Sequence, residues 1–257
     1  MALGKYPALG VPRRIKEQFR IRSAEFDISA NWVKDKQLIK THVNLAGEPA
    51  GKALDLCCGT GQIGRALKKR GWDVHGMDIC QVMARSSSRY FPAIGGMAEN
   101  IPYKSGSFQL VVCRQTFQFL NIKKTLSCIK RALAPGGSFV LSLTVPFSAA
   151  DKRWLYKIHR VKQPLLLKFY TADDLMKGLK EAGFLIKKIR MLTVRESINR
   201  WMNYAPELKL HIREKVISMI KNAPLAYKEL HRVEIIDGQV FEDWNWVILK
   251  AFLPKKQ

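Results

Sequence analysis

The sequence predicts an α/β fold with a mostly parallel sheet, an antiparallel last strand and helical insertions capping it. Three observations carry that prediction. Apolar runs the size of buried strands alternate with helical segments from about residue 51 to residue 144. The first run, Ala53 to Cys57, feeds a glycine loop, Gly59-Thr60-Gly61, which opens a helix. The last apolar run follows an Asp237-Gly238 turn, which folds a chain back antiparallel on itself. A chain of 257 residues, 47% hydrophobic, is enough for one such domain with a cap. We expect residues 1–50 to form an N-terminal helical cap segment. Residues 51–257 form the main domain, with helical insertions at about 146–169 and 195–232.

Each element has a local reason. Arg14 to Ser23 is basic and helical in pattern, and Asn31 to Val43 puts Trp32, Ile39 and Val43 at helical spacing. After the loop, Ile63 to Arg70 is a helix with Lys68, Lys69 and Arg70 in its last turn and Gly71 just beyond. Asp73 to Asp78 is a second strand, Gln81 to Tyr90 a helix limited by Pro92, and Ile94 to Met97 a third strand. Phe108 to Cys113 is the fourth. Asn121 caps a helix carrying Ile122, Leu126, Ile129 and Leu133 on one face, and Pro135-Gly136-Gly137 separates it from a fifth strand, Ser138 to Thr144. Thr171 and Asp174 form a capping box, with Tyr170 able to staple onto Leu175. Gly183 ends that helix, and Phe184 to Val194 is the sixth strand. One or two helices are expected from Arg195 to Arg232, acting as a lid. A hairpin then leads to a seventh strand, Trp246 to Phe252.

The glycine loop reads as a nucleoside-cofactor site. Glycines let the backbone approach a ligand, and the helix start offers free N–H groups. Asp78 follows Gly59 by 19 residues, near the spacing at which an acidic strand tip holds ribose hydroxyls. Gly59, Gly61 and Gly64 satisfy G-x-G-x-x-G, so a dinucleotide oxidoreductase is one reading. Asp55 opposes it: a carboxylate below the loop would repel a pyrophosphate. It suits an ammonium-bearing cofactor without phosphate, such as S-adenosyl-L-methionine.

The stretch LDLCCGTG resembles motif I of the class I S-adenosylmethionine-dependent methyltransferases, in the type 11, quinone-biosynthesis-methyltransferase-like branch. AENIPYKSGSFQLVVCRQTFQFL resembles that family's adenine-contacting turn and fourth strand, and LAPGGSFVLS its turn into the fifth. The resemblance implies a Rossmann-like seven-stranded sheet. It also implies cofactor contacts from Asp55, Cys57, Gly59, Thr60, Gly61, Asp78, Ile79, Met83, Ala98, Glu99, Asn100 and Arg114. Met97 stands where the family often has an acid before Ala98.

The acceptor is written elsewhere in the chain. Resembling enzymes present the end of the fourth strand to the transferable methyl, which here means Gln115 and Gln118. Trp32, Trp154, Tyr170 and Trp201 are further candidates for the substrate wall. Catalytic candidates are His159, His231, Tyr170 and Gln115; His211 lies in the same variable region, while His75 reads as structural and His42 as a surface residue. Arg114-Gln115-Thr116-Phe117 replaces the Asn-Pro-Pro-Tyr motif of the common amino-group methyltransferases.

The expected activity is methyl transfer to an oxygen, nitrogen or carbon of a small-molecule metabolite. The net charge of +23, spread along the chain, supports an RNA methyltransferase as the alternative. A non-catalytic methyltransferase-like binding subunit is a further one. No metal site, signal peptide or membrane span is expected. Five cysteines without C-x-x-C spacing suit a reduced, cytoplasmic protein. The oligomeric state is open.

Overall fold

The computed structural model describes residues 11–206 and 208–254, so the first ten residues of the expected cap lie outside it. Strands β1 (Lys52–Leu56), β2 (Asp73–Asp78), β3 (Ala93–Gly95), β4 (Phe108–Arg114) and β5 (Leu133–Thr144) pair in parallel in the order β3-β2-β1-β4-β5. The chain starts in the middle of the sheet and winds to one edge before crossing back, so a switch point opens between β1 and β4. Strand β6 (Leu185–Ser197) forms the far edge, and β8 (Gln239–Phe252) inserts antiparallel between β5 and β6. The short β7 (Glu234–Ile236) pairs with the start of β8 through the Asp237-Gly238 turn, where both residues have positive φ. Among the described residues the sheet therefore has eight strands, one more than expected, because that hairpin supplies its own.

Two hydrophobic layers sandwich the sheet. On one face Ala53, Val74, Leu110, Val112, Val140 and Ile248 meet helices α3 (Lys36–Ala46) and α4 (Gln62–Lys69). On the other, Leu54, Leu56, Val111, Phe139 and Leu249 meet α6 (Ile122–Ala132) and α8 (Ala172–Glu181). The alternation of neighbouring strand residues between these layers is the period-two rule at work. The capping box opens α8 as expected, with Thr171 Oγ1 accepting from Asp174 N at 3.0 Å.

Several boundaries differ from expectation for physical reasons. The helix expected over Asn31 to Val43 is two: α2 (Asn31–Lys34) and α3, parted at Asp35. Asp35 leaves helical geometry (ψ 118°) and its carboxylate accepts from Leu38 N at 2.6 Å, capping α3. Trp32 thus sits on a different helix from Ile39 and Val43, although all three pack in the same hydrophobic layer. His42 is fully buried, not on the surface. The lid region forms three helices among the described residues, α9 (Ile198–Asn203), α10 (Leu210–Lys221) and α11 (Leu225–Leu230). Strands β6 and β8 run on to pair Ser197 with Phe241, well past the expected Val194 and Trp246, because continuous pairing satisfies their backbones. The cap is completed by α1 (Val11–Arg22), and by α7 (Lys152–Lys162) in the first insertion. A further helix, α5 (Gln81–Ser88), follows β2.

Candidate functional site

The parallel strands end at a cavity of about 680 Å³ between the sheet and the cap helices. Its floor begins at the loop after β1. Cys57 takes a positive φ of 59°, and Gly59 (52°) and Gly61 (84°) continue the turn. Gly61 N donates to Cys58 O at 2.8 Å, closing the loop and starting α4. Gly64 sits where a side chain would not fit, since an added Cβ would lie 2.5 Å from Phe91 Cε1 and 2.9 Å from Asp55 Oδ2. The third glycine of the motif therefore serves packing of α4 on the strands.

Two buried carboxylates face this loop. Asp55 Oδ2 accepts from Gly64 N at 2.8 Å, and burial pushes its carboxyl up to about 7 against the pull of that bond and of Arg114. Asp78 accepts from Gly59 N at 2.9 Å and Cys80 N at 2.8 Å, and burial still pushes it up to about 6. Desolvation outweighs the donors at both positions. A site holding two such carboxylates repels pyrophosphate and is stabilised by an ammonium, a sulfonium or ribose hydroxyls. That chemistry fits S-adenosyl-L-methionine.

The cap is latched to this floor. Asp27, in a short 3-10 turn, accepts from Thr60 Oγ1 at 2.5 Å and Gln62 Nε2 at 2.9 Å. Glu196 at the end of β6 accepts from the backbone N–H groups of Asn31 (2.8 Å) and Trp32 (2.7 Å), and its burial pushes it up to about 7. Arg114 donates Nη1 to Trp32 O (3.2 Å) and Nη2 to Val33 O (3.1 Å), with its guanidinium 5.0 Å from the Trp32 ring centroid. Burial lowers Arg114 to about 10. Trp32 is thereby held through both its backbone N–H and its carbonyl.

The cavity wall includes Asp55, Cys57, Gly59, Thr60, Asp78, Ile79, Met83, Ala98, Glu99 and Arg114 of the expected cofactor set. Gly61 and Asn100 are off the wall: Gly61 closes the loop from behind, and Asn100 N donates to Met97 O within a turn. On the acceptor side the wall includes Trp32, Gln115, Gln118, His159 and Trp201.

Four other expectations are corrected. Tyr170 packs with Leu175 in the layer on the α6–α8 face of the sheet, away from the cavity wall. Trp154 lies on a different face of α7 from the cavity residues Tyr156, His159 and Arg160. His231 is fully buried off the wall, with Nε2 2.9 Å from Asp151 Oδ2, Nδ1 3.0 Å from Asp243 O, and Tyr227 stacked at 4.0 Å. It is a structural tie between the two insertions. Gln115 is on the wall, but its amide is tied to Thr144 (Nε2 to Oγ1 2.9 Å, Oε1 from N 2.8 Å), so it is fixed rather than free to orient a substrate. Its own φ is positive, 54°.

Asp27, Glu196, Tyr156, Arg160 and Tyr204 were missed as site residues. Only Tyr156 and Arg160 had a local signal: with His159 and Gln163 they repeat at i, i+3, i+4 and i+7, one face of a helix, and all four line the cavity.

A glycine turn at the switch point of a doubly wound sheet, backed by two carboxylates and roofed by helices, defines a class I methyltransferase-type domain. A family model described as a methyltransferase domain matches residues 54–141. An uncharacterized methyltransferase of Synechocystis sp. is 36% identical over 104 residues, which span 38% of this chain and 49% of that protein. A demethylmenaquinone methyltransferase of Thermotoga maritima is 25% identical over 199 residues, 66% of this chain and 85% of that one. The YcgJ protein of Bacillus subtilis superposes with a TM-score of 0.77 at 14% identity, covering 85% of this chain and 98% of the other. Over residues 54–141 the chain is similar to the methyltransferase-domain family, and its fold is that of the class I methyltransferases.

Proposed function

We propose that this chain transfers a methyl group from S-adenosyl-L-methionine to an oxygen, nitrogen or carbon nucleophile of a small molecule held in the same cavity. The observation that carries the reading is the composition of one continuous wall. It runs from Asp55 and Asp78 to the aromatic cap residues Trp32, Trp201 and Trp244. A volume of about 680 Å³ is in the range of small-molecule sites.

When bound, the cofactor supplies an electrophilic methyl on a sulfonium leaving group. Asp78 would hold the ribose hydroxyls and Asp55 the cationic part. Ile79, Met83, Ala98 and Glu99 would enclose the adenine. Trp32, clamped by Glu196 and Arg114, excludes water from the reacting end, and the cap walls orient the nucleophile toward the methyl. His159 is held neutral by burial and by the charge of Lys162, which lower it to about 3. It can share a hydrogen bond with a hydroxyl without itself carrying charge.

The test is titration calorimetry with S-adenosylmethionine, S-adenosylhomocysteine and NAD on the parent chain and on Asp78→Ala. Binding of the first two, weakened at least tenfold in the variant, supports the reading. Binding of NAD alone overturns it. The net charge of +23 favours one second reading, RNA as the acceptor. A micromolar RNA affinity that falls steeply with salt would support that reading, and indifference to RNA would remove it. The absence of C-x-x-C spacing and the five free cysteines among the described residues support a reducing, cytoplasmic setting. Among the described residues, no helix is long and apolar enough to cross a membrane.

A further inference from the structure

The cap end of the cavity carries polar groups that have no partner among the described residues. Gln118 is 6% exposed, and its Nε2 donates to Gln115 O at 2.9 Å. That bond fixes the amide: a flipped side chain would set two oxygens against each other. The remaining Oε1 is buried with no partner among the described residues. It is an acceptor that needs a donor. His159, 3% exposed, stands 5.0 to 5.2 Å from the rings of Trp201, Phe169 and Trp244, and its Nε2 is buried without a partner among the described residues. Both side chains belong to the cavity wall.

Arg160 completes the set. Its Nη1 donates to Leu166 O at 2.8 Å, and its guanidinium lies 5.8 Å from the Tyr156 ring centroid. No ion pair to it is formed among the described residues. A guanidinium has five N–H donors, so one carbonyl leaves most of its capacity for a ligand. The carboxylates on the described wall, Asp55, Asp78 and Glu99, belong to the strand-end side. The cap side is aromatic and cationic, with Tyr156, Trp201, Tyr204 and Trp244 offering flat apolar surface.

We propose that the acceptor is a hydroxyaryl carboxylate, seated with its ring among the cap aromatics, its hydroxyl donating to Gln118 Oε1 and its carboxylate on Arg160. This deepens, and rests on, the reading of the strand-end carboxylates as the cofactor site. The hydroxyl satisfies an acceptor that the fold itself leaves unpaired, with His159 Nε2 as a second partner for polar groups on the same ring. The carboxylate turns the Arg160 guanidinium from a lone buttress of the Leu166 carbonyl into half of a two-point clamp.

The experiment is calorimetry in saturating S-adenosylhomocysteine, whose own binding is recorded first. The probes are 4-hydroxybenzoate and 6-hydroxy-2-naphthoate, each compared with the analogue lacking the hydroxyl (benzoate, 2-naphthoate) and the one lacking the carboxylate (phenol, 2-naphthol). A hydroxy acid binding at least about tenfold tighter than both of its analogues is the expected result. Arg160→Gln should erase the advantage over the phenol or naphthol, and Gln118→Leu the advantage over the plain acid. Thermal melts establish that each variant is folded. Arg160→Gln, at a half-buried helix position, keeps the test alive if Gln118→Leu does not fold. Equal affinities within both series, or no binding of any probe while S-adenosylhomocysteine binds, overturn the acceptor proposal and leave the cofactor reading standing. Failure of S-adenosylhomocysteine to bind overturns both.

Discussion

Cofactor affinity should fall steeply below neutral pH, and the buried carboxylates set the slope. Burial pushes Asp55 up to about 7 and Asp78 up to about 6 in the cofactor-free chain. A cationic ligand binds the ionised carboxylate, so at pH 5 a proton must first leave Asp55. Two units below its midpoint, roughly one molecule in a hundred carries that charge, a penalty of about 2.7 kcal/mol in binding. Asp78 adds up to about a further tenfold at the same pH. The dissociation constant of S-adenosylhomocysteine should therefore rise at least about 100-fold from pH 8 to pH 5 and level off above pH 8. Calorimetry near pH 6.5 in two buffers of different ionisation enthalpy should detect net proton release on binding. Asp55→Asn should bind more weakly at pH 8 and lose most of the slope. The stability of the cofactor-free chain moves the opposite way. Its folded carboxyl titrates above the ordinary value of 3.8, so the native state holds a proton that the unfolded state has lost. Stability contributed by the neutral acid declines as pH rises from about 4 to about 7. A pH-independent dissociation constant, with Asp55→Asn indistinguishable from the parent, would refute the reasoning.

Three further outcomes follow from contacts described above. Gly64→Ala sets helix propensity, which favours alanine by about 1 kcal/mol, against overpacking, which costs about 1–3 kcal/mol. With Phe91 Cε1 only 2.5 Å from the added carbon, overpacking should win, and urea unfolding should show a net loss together with weaker cofactor binding. Glu196→Ala strands two backbone donors at the start of α2, each worth about 1–3 kcal/mol when buried. The variant should melt earlier and show a raised KM for the cofactor, with Glu196→Gln intermediate because one acceptor oxygen survives. His231→Ala breaks a buried pair with Asp151 and should cost about 3–5 kcal/mol in chemical unfolding while leaving S-adenosylhomocysteine affinity near the parent value. Burial alone would push Asp151 up, but His231, Ser148 and Phe147 together hold it below its ordinary value, so this contribution should vanish as pH falls through the acid range.

What could be read from the sequence was what is local in the chain. The strand, glycine turn, helix and next strand occupy Ala53 to Asp78 without interruption, and their chemistry sits within reach of their own backbone. Asp55 and Asp78 were legible for that reason. The capping box at Thr171 and the turn at Asp237-Gly238 are equally self-contained. The cap was not. His231 reads as a free base until Asp151, 80 residues earlier, is brought beside it. Glu196 is one acid among many until it meets the start of α2, 165 residues away. Tyr170 was a reasonable aromatic neighbour of the site by order along the chain, yet its staple onto Leu175 commits it to the opposite layer. Trp154 could have been separated from Tyr156 and His159 by helical period alone, once the excursion was taken as a helix.

Cys57 and Gln115 are both held in left-handed backbone geometry, and they stand at the ends of the adjacent strands β1 and β4. Side chains other than glycine and asparagine occupy that region at a cost of about 1–3 kcal/mol each. The molecule thus spends conformational energy at the mouth of its own crevice, on the two hinges that aim the glycine loop and the Gln115–Thr144 tie. Selection for heat resistance alone would find easy gains at these two positions. Each gain would let the loop or the tie drift, so a more durable chain obtained there would be a poorer host for its ligands.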